Sequence, residues 1–313
     1  MTTEQDDIHR RHVTRRDFLG MGIAGGAVIL LGQRFSLAAE ASRKTDVWVL
    51  HGEDKKKLMQ AGLKVIAENG GFGKNVKKLT LKVNAAWWRT PKQHANTNPE
   101  LVDTFLKGCR DQGIKQIVMP ENPVDSASKT FPQSGLLAVA KANNVQMINM
   151  GAARDLWRNV ELPQAKILKK AQVPKDILET DALVNMPVAK HHGGAGLTIA
   201  MKNWLGSVKD RRFFHRNDLH QCIADISSLL KPTWSIVDAT NIMLDRGPKG
   251  PSKNMKKLDL LIISRDQVAV DAYTATLFPK KTAERAKYIR KAADMKLGTA
   301  DLSRMAVHKL EAS

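Results

Sequence analysis

The sequence predicts an α/β protein with a mostly parallel β-sheet that is flanked by helices. Apolar runs of strand length alternate along the chain with segments whose apolar residues recur at helical spacing. This alternation favours a parallel sheet with helices on both faces. About 270 residues follow a predicted N-terminal signal, enough for one large domain at residues 42–313. Two lobes at 42–155 and 156–313, with a cleft between them, are an alternative.

The predicted strands are seven apolar runs. In chain order, they are residues 47–50, 79–83, 116–119, 145–148, 182–186, 235–237 and 258–263. Six amphipathic segments are predicted as helices. In chain order, these are residues 55–68, 99–112, 133–143, 197–208, 219–230 and 268–277. In the second of them, Leu101, Phe105 and Leu106 form one apolar stripe, and Asn98 and Pro99 suit the start of the helix.

The first 41 residues have the pattern of a twin-arginine export signal. The stretch TRRDFLG at 14–20 precedes an uncharged segment at 20–32 and a small-x-small cleavage site at 39–41. The uncharged segment is shorter than the roughly 20 residues that a membrane-spanning helix needs. We therefore expect a periplasmic protein, exported by the twin-arginine translocation machinery, with no stable membrane span. A basic arm that leads into a buried helix is the alternative interpretation.

The charge balance indicates an anionic partner. The chain has 50 Lys and Arg against 31 Asp and Glu, a formal net charge of +19 at pH 7. This excess suits a charged small molecule, anionic lipid headgroups or a polyanion, although it could also serve solubility alone. The sequence contains no nucleic-acid-binding motif, so we do not expect a nucleic acid partner.

The cysteines and histidines limit the cofactors that the chain could hold. Cys109 and Cys222 both lie in predicted helices, and neither belongs to a C-x-x-C pair. Two cysteines exclude a self-contained four-cysteine iron–sulfur cluster or zinc ribbon. In an oxidising compartment they could form one disulfide or stay as two buried thiols. The nine histidines show no metal-ligand spacing, so a metal held by His192 and a distant carboxylate is only an alternative, and the cofactor is left unknown.

Polar residues follow the predicted strands where an α/β sheet binds its ligands. In open sheets of this class, ligands lie beyond the carboxyl ends of the strands. The residues at these positions are Lys82 and Asn84, Glu121 and Asn122, residues 185–190, Asp238, and residues 264–266. If the strands are parallel, these groups collect along one edge of the sheet and form a cleft there.

The stretch KHHGGAGLTIAMKN at residues 190–203 combines cationic and hydrogen-bonding side chains with a glycine-rich turn. A helix is expected to begin at Leu197, so that its free backbone N–H groups would face an anion. On that helix Thr198 and Lys202 would share one face, and Asn203 would follow Lys202. The alternative interpretation is an exposed loop that leads into a solvated helix.

We expect an enzyme that binds an anionic small molecule, a carboxylate or a phosphate, in this cleft. The candidate ligand-binding residues are Lys82, Asn84, Lys190, Thr198, Asn203 and Asp238, and the candidate catalytic residues are His192 and Lys202. His192 is the expected proton-transfer group, because an unperturbed histidine titrates near neutrality. For Lys82, a salt bridge to Glu121 or Asp238 explains the residue as well as ligand contact does.

Two other functions fit the same sequence. A non-catalytic binding or accessory protein would use the cleft to hold a metabolite or a metal complex. An electrostatic partner of an anionic surface or a redox protein would use the net charge instead. Residues 210–216 and the loop at 247–251 are interpreted as solvated surface; the alternative is that the loop shapes the site and that residues 210–216 add positive charge to it.

The order and spacing of these residues resemble the family named domain of unknown function 362. The elements that carry the resemblance are Lys82-Val83-Asn84 (K-P-N in the family), residues 97–100 (T-N-P-E), residues 190–206 (the central signature), Asp238, Gly247-Pro248 and residues 264–271. The resemblance implies a fold similar to that of the nickel-dependent lactate racemase family, and an isomerase-like or organic-acid-binding role. Many relatives carry a ferredoxin-like iron–sulfur segment, whose cysteines this chain lacks.

Overall fold

The structure, a computed structural model, describes residues 44–312. Its strands are β1 (Thr45–His51), β2 (Lys78–Val83), β3 (Gln116–Glu121), β4 (Gln146–Asn149), β5 (Trp157–Glu161), β6 (Lys170–Pro174), β7 (Ala182–Met186), β8 (Val188–His192), β9 (Gly196–Thr198), β10 (Trp234–Met243), β11 (Met255–Ser264) and β12 (Met305–Glu311). Its helices are α1 (Lys55–Glu68), α2 (Pro99–Asp111), α3 (Ala127–Gln133), α4 (Leu136–Ala142), α5 (Lys175–Leu178), α6 (Ala200–Asn203), α7 (Arg211–Arg216), α8 (Leu219–Leu229), α9 (Gln267–Ala275), α10 (Lys280–Ala283) and α11 (Tyr288–Asp294).

The main sheet is mostly parallel, as the sequence predicts. Its strand order is β12-β1-β11-β10-β7-β2-β3-β4. Strands β10, β7, β2, β3 and β4 run parallel to one another, and β12 runs parallel to β1. Strand β11 is antiparallel to both of its neighbours. Strands β8 and β9 form an antiparallel hairpin that joins the sheet through β10, whereas β5 and β6 form a separate two-stranded sheet.

Alternate residues of the strands face two hydrophobic cores on opposite sides of the main sheet. On β1, Val47 and Val49 belong to one core, and Trp48 and Leu50 belong to the other. Helices α6, α8, α9 and α11 cover the first core, and α1, α2 and α4 cover the second. Burial on both faces explains why the central strands are nearly continuous apolar runs in the sequence.

The two cysteines are free thiols in different cores. Cys109 lies in the core under α2, and Cys222 lies in the core under α8, on the opposite side of the sheet. Of the two states that the sequence allows, the structure has the unpaired one. Burial raises the pKa of both thiols, so neither is a reactive thiolate at neutral pH.

All seven predicted strands are present, as β1, β2, β3, β4, β7, β10 and β11. The predicted helix at 133–143 is present as α4, which begins at Leu136, and α3 before it was not predicted. From Thr45 onward the chain forms one compact unit.

The predicted signal at residues 1–41 lies outside the described residues. Within residues 44–312, no helix has the length and apolar character that a membrane span requires.

The predicted helix at 197–208 is wrong in its first part. Residues Gly196–Thr198 form β9, and α6 begins only at Ala200. Ile199, with φ −141° and ψ −143°, separates the strand from the helix. The spacing of the apolar residues suits a helix, but pairing of β9 with β8 satisfies the same backbone groups and determines the local structure.

Residues 264–266 lie at the opposite edge of the sheet from the other predicted strand ends. Because β11 is antiparallel to β10, Ser264 pairs with Ser235 at the beginning of β10. Asp266 caps α9, since its carboxylate accepts hydrogen bonds from the N–H groups of Val268 and Ala269 at 2.8 and 3.0 Å. The expectation that these residues join the cleft is therefore wrong.

Candidate functional site

A cavity of about 390 Å³ lies at the carboxyl ends of β2 and β3, against the β8–β9 hairpin and α6. Of the predicted site residues, it is lined by Asn84, Lys190, His192, Thr198, Lys202 and Asn203. Other polar lining residues include Glu121, Arg211, Arg212 and His215. The apolar lining residues are Ala86, Trp87, Val124, Leu205 and Pro248. The rule that ligands bind beyond the carboxyl ends of parallel strands thus leads to this cavity.

Lys82 supports the cavity from beneath rather than lining it. Its Nζ lies 2.8 Å from Oε2 of Glu121, and both side chains are almost completely buried. Nζ also donates to the carbonyl of Val83, and Glu121 Oε2 accepts the N–H of Ala85 at 3.0 Å. Burial lowers the pKa of Lys82, and the charge of Glu121 opposes that shift. Of the proposed explanations for Lys82, the structure contains the salt bridge to Glu121.

A directed chain of amide hydrogen bonds connects the strand ends. Lys190 Nζ donates to Asn84 Oδ1 at 3.1 Å, and Asn84 Nδ2 donates to Asn203 Oδ1 at 3.0 Å. Asn203 Nδ2 then donates to Asn185 Oδ1 at 2.8 Å, and Asn185 Nδ2 donates to the carbonyl of Ala200 at 2.9 Å. Because each amide is both donor and acceptor, the chain fixes the orientation of every member. Asn84 and Asn203 therefore position Lys190 and α6 at the cavity wall.

The backbone N–H groups at the start of α6 are already occupied. The carboxylate of Asp271 accepts the N–H of Ala200 at 2.7 Å and that of Met201 at 3.1 Å. The expectation that a helix N-terminus here faces an anion is therefore wrong. Instead, β9 places Thr198 opposite Lys190 in the hairpin, and both side chains line the cavity.

The hairpin turn needs glycine at position 196. Gly196 has a φ of 75°, and a Cβ there would lie 2.6 Å from the carbonyl carbon of Arg285 and 2.7 Å from the N of Ala286. Both the left-handed conformation and the backbone contact exclude a side chain. The tight turn between β8 and β9 therefore depends on this residue.

Lys190 and Lys202 are buried cations with different surroundings. Lys190 is fully buried and donates to Asn84 Oδ1 and to the carbonyl of Ala95. Lys202 is 7% exposed, and within the described residues nothing accepts a hydrogen bond from its Nζ. Burial lowers the pKa of each lysine to about 7. The charge of Lys202 contributes to the lowered pKa of Lys190, and the charge of Arg211 contributes to that of Lys202.

The structure gives His192 a different role from the expected one. Its Nδ1 accepts the N–H groups of Gly194 and Ala195 at 3.1 and 3.0 Å. Burial, followed by the charges of Lys202 and Lys190, lowers its pKa to about 2. The ring is therefore neutral at physiological pH and carries its proton on Nε2, where it can donate a hydrogen bond. His192 is therefore not a base that titrates near neutral pH.

Asp238 lies apart from the cavity. Its Oδ2 accepts the N–H of Asn98 at 2.9 Å, and its Oδ1 accepts the N–H and hydroxyl of Thr240 at 3.1 and 2.7 Å. These bonds tie β10 to the start of α2. Asp238 is absent from the described cavity lining, so the geometry assigns it to the support of the sheet edge.

Arg211 is a site residue that sequence reasoning placed on the surface. Asp210 caps α7 by accepting the N–H groups of Arg212 and Phe213. This start places Arg211 and His215 one helical turn apart, and both line the cavity. The guanidinium of Arg211 donates to the carbonyls of Asn122 and Pro123. The capping aspartate and the i, i+4 spacing were the signals that could have identified the pair.

Pro248 brings the loop at 247–251 to the cavity as well. The N–H of Gly247 donates to Nδ1 of His191 at 3.1 Å, and Lys249 Nζ lies 5.8 Å from the ring centroid of Trp87. These contacts attach the loop to both sides of the cavity, so its interpretation as solvated surface is wrong for Pro248.

Across the described chain, no three His, Cys, Asp or Glu side chains form a candidate metal-binding group.

The sequence profile described as "Domain of unknown function (DUF362)" matches residues 79–276, more than half of the chain. The chain belongs to the DUF362 family. The matched span contains β2 to α9 and every residue of the cavity lining, so the candidate site lies inside the DUF362 region.

The DUF362 chain is 23% identical over 223 residues to the thylakoid-associated protein sll1697 of Synechocystis sp., with 67% of each chain covered. The lactate racemase apoprotein of Thermoanaerobacterium thermosaccharolyticum is similar at 13% identity and a TM-score of 0.44, over 77% of this chain and 57% of that one. A structural-genomics target from Thermotoga maritima is similar at 12% identity and a TM-score of 0.44, over 78% and 60%. The DUF362 chain thus spans about three fifths of these two solved structures.

Proposed function

We propose that the protein is an enzyme that binds a small carboxylate or phosphate in the cavity. The observation that carries the proposal is an imbalance of charge. Four basic residues line the cavity, whereas Glu121 is the one carboxylate of the described lining and is paired with Lys82. Lys190 is fully buried and Lys202 is 7% exposed, and neither is paired with a carboxylate among the described residues. A bound anion would supply the missing negative charge.

The expected gain from such an anion is large. Two opposite unit charges about 4 Å apart attract by about 4 kcal/mol where the effective dielectric constant is about 20. Lys190 and Lys202 would contact the negative charge directly. Thr198 would donate its hydroxyl, which is buried and has no hydrogen-bond partner in the described structure. His192 would donate from Nε2, because its Nδ1 already accepts two N–H groups.

Lys202 is the side chain best suited to proton transfer. A lysine with a pKa of about 7 accepts and returns a proton at physiological pH, which an ordinary lysine does not. Lys190 has a similar pKa, but its Nζ already donates to two oxygens, which fix it at the cavity wall. Abstraction of a proton beside a carboxylate, or hydrolysis of an anionic ester, would both use such a base. We assign this role to Lys202 rather than to His192.

A thermal-shift screen tests the binding proposal. Phosphate, citrate, lactate, pyruvate and 2-oxoglutarate would be compared with chloride at equal ionic strength. Wild type and Lys202→Met would be measured beside Lys141→Met, because Lys141 is an exposed helical lysine outside the cavity. We expect at least one anion to stabilise wild type and Lys141→Met, and to stabilise Lys202→Met far less. Equal shifts in all three proteins would contradict binding in the cavity.

A second readout separates an enzyme from a binding protein. Each stabilising anion would be incubated with the protein in deuterated buffer and followed by proton NMR, together with its ester where one exists. Deuterium at the carbon beside the carboxylate, or release of the alcohol, supports an enzyme. Stabilisation without either reaction supports the non-catalytic binding protein that the sequence also allows.

Export to the periplasm is part of the proposal and is supported by the sequence of the first 41 residues. The arginine pair, the uncharged segment and the cleavage site occur in the order of a twin-arginine signal. Cell fractionation of wild type and an Arg15→Lys/Arg16→Lys variant tests it. We expect wild type in the periplasm and the variant in the cytoplasm. The same distribution for both proteins would contradict translocation by the twin-arginine machinery.

A further inference from the structure

Three buried lysines surround the cavity, and one of them differs from the other two. Lys82 is paired with Glu121, and Lys190 donates to Asn84 Oδ1 and the carbonyl of Ala95. Within the part of the chain that the structure describes, Lys202 has no such acceptor. An ammonium in a largely buried position that is paired with no carboxylate is costly, whereas a neutral amine in the same place is tolerated. The surroundings of Lys202 therefore favour a free amine with an available lone pair.

The amine of Lys202 also lies among groups that suit a carbonyl compound. Its side chain lines the cavity together with Lys190 and Arg211, and the charge of Arg211 adds to burial in disfavouring a proton on it. The hydroxyl of Thr198 lines the same cavity and has no partner among the described residues, so it is free to donate to a carbonyl oxygen. A desolvated lysine beside another cationic group is a recognised arrangement for an amine nucleophile.

We infer that Lys202 is a nucleophile that forms a Schiff base with the carbonyl carbon of a 2-oxo acid. The inference rests on the proposed anion-binding function and narrows its substrate class. In a 2-oxo acid the carboxylate is attached directly to the carbonyl carbon. Lys190 would bind that carboxylate while Lys202 reacts with the neighbouring carbon, so both buried lysines are used by one small molecule.

The covalent step is balanced and involves no oxidation. The lone pair of Nζ attacks the carbonyl carbon, and the C–N bond forms as the C=O π pair moves to oxygen. Transfer of a proton from nitrogen to that oxygen gives the carbinolamine. Its hydroxyl then takes up a proton from solvent and leaves as water, which gives the protonated C=N bond. One amine, one carbonyl compound and one proton thus give one iminium ion and one water.

Reductive trapping tests the inference. Full-length protein would be mixed with pyruvate or 2-oxoglutarate near neutral pH, treated with sodium borohydride, digested and mapped by mass spectrometry. Hydride adds to the iminium carbon and leaves a stable secondary amine on the modified lysine. Lactate is the control, because it has the carboxylate but no carbonyl. The thermal shift with the same 2-oxo acids would be measured in parallel.

We expect one adduct per chain, located on Lys202. A lysine with a pKa of about 7 has a free-amine fraction roughly a thousandfold above that of an ordinary lysine at neutral pH, so exposed lysines should be labelled far less. Peptide mapping of wild type identifies the residue without a variant. Lys202→Arg should lose the adduct, because arginine forms no such C=N bond, and Lys141→Arg should keep it.

The remaining outcomes separate this inference from the proposed function. Stabilisation by a 2-oxo acid without an adduct would overturn the Schiff base and leave anion binding intact. Neither stabilisation nor an adduct from either 2-oxo acid would overturn the inference, while stabilisation by phosphate or citrate would still support the proposed function. Adducts spread over exposed lysines, and equal in Lys202→Arg, would also overturn it.

Discussion

The Nζ of Lys82 and the Oε2 of Glu121 lie 2.8 Å apart at the base of the cavity, in side chains that are almost completely buried. Strands β2 and β3 contribute one residue each, so the ion pair joins the ends of two adjacent parallel strands. Each charge tolerates burial only because the other is present. The pair also occupies the one carboxylate of the described cavity lining, so that Lys190, Lys202, Arg211 and Arg212 have no ion-pair partner of their own there.

Removal of one charge from the Lys82–Glu121 pair should lower the free energy of unfolding more than removal of both charges. In Glu121→Gln the ammonium of Lys82 stays buried without a counter-charge, and we expect a loss of about 3–5 kcal/mol in the free energy of unfolding. The double variant Lys82→Met/Glu121→Gln should regain much of that loss. Urea denaturation measures both. A double variant that is less stable than Glu121→Gln would contradict the account.

Gly206 should resist substitution because of the same pair. A Cβ at this position would lie 2.1 Å from Oε1 of Glu121 and 2.8 Å from Nζ of Lys82. We expect Gly206→Ala to cost about 1–3 kcal/mol of stability through overpacking. Gly193→Ala is the matched control, because a Cβ there meets nothing within 4 Å. Equal effects of the two substitutions on the denaturation midpoint would show that the close contact is unimportant.

Lys202 should make stability depend on pH. Burial and the charge of Arg211 lower its pKa from 10.5 to about 7 in the folded protein. Between these values the unfolded chain binds more protons, so the contribution of Lys202 to the free energy of unfolding rises with pH, by at most about 1.4 kcal/mol per unit.

Lys202→Met removes that contribution and leaves no acceptor unpaired. The variant should therefore exceed wild type in stability near neutral pH, and the difference should shrink as the pH rises from 7 towards 10.5. Urea denaturation across this range, in buffers without carboxylate or phosphate, measures the difference. A difference that stays constant would mean that Lys202 is an ordinary lysine.

The ring of His192 should stay neutral over the range in which most histidines titrate. Its pKa is lowered to about 2, mainly by burial and then by the nearby lysines. Nitrogen-15 NMR of the imidazole should show no titration of His192 as the pH falls from 8 towards 4, while Nε2 keeps its proton. Titration of His192 near neutrality would restore it as the proton-transfer group and contradict the assignment to Lys202.

The sequence predicts the fold well where the residues of a single segment are sufficient to determine its secondary structure. The seven apolar runs became strands, and Asn98 caps the helix that follows it. The prediction fails where the secondary structure of a segment is determined by pairing with a strand that is distant in the sequence. Leu197 and Thr198 lie in a segment with helical spacing but pair with β8, and the polar strand β12 is recognisable only through its partner β1.

In the candidate site, too, local sequence patterns identified residues, whereas properties that depend on tertiary contacts were not predicted. The strand-end rule and the glycine-rich stretch identified eight of the residues that line the cavity: Asn84, Glu121, Asn122, Lys190, His192, Thr198, Lys202 and Asn203. The expected pKa of His192 was wrong, because its burial beside Lys190 and Lys202 is a tertiary property. The capping aspartate and the i, i+4 spacing indicate a helix with Arg211 and His215 on one face, but only the tertiary structure shows that this face meets the cavity, so Arg211 was assigned to the surface.

The most direct test of the central claim is a crystal structure of the protein with the anion that stabilises it most. The account predicts density for one anion in the cavity, within hydrogen-bond distance of Lys190 and Lys202 Nζ, with Glu121 still paired to Lys82. An anion bound elsewhere, with only water beside Lys202, would contradict it.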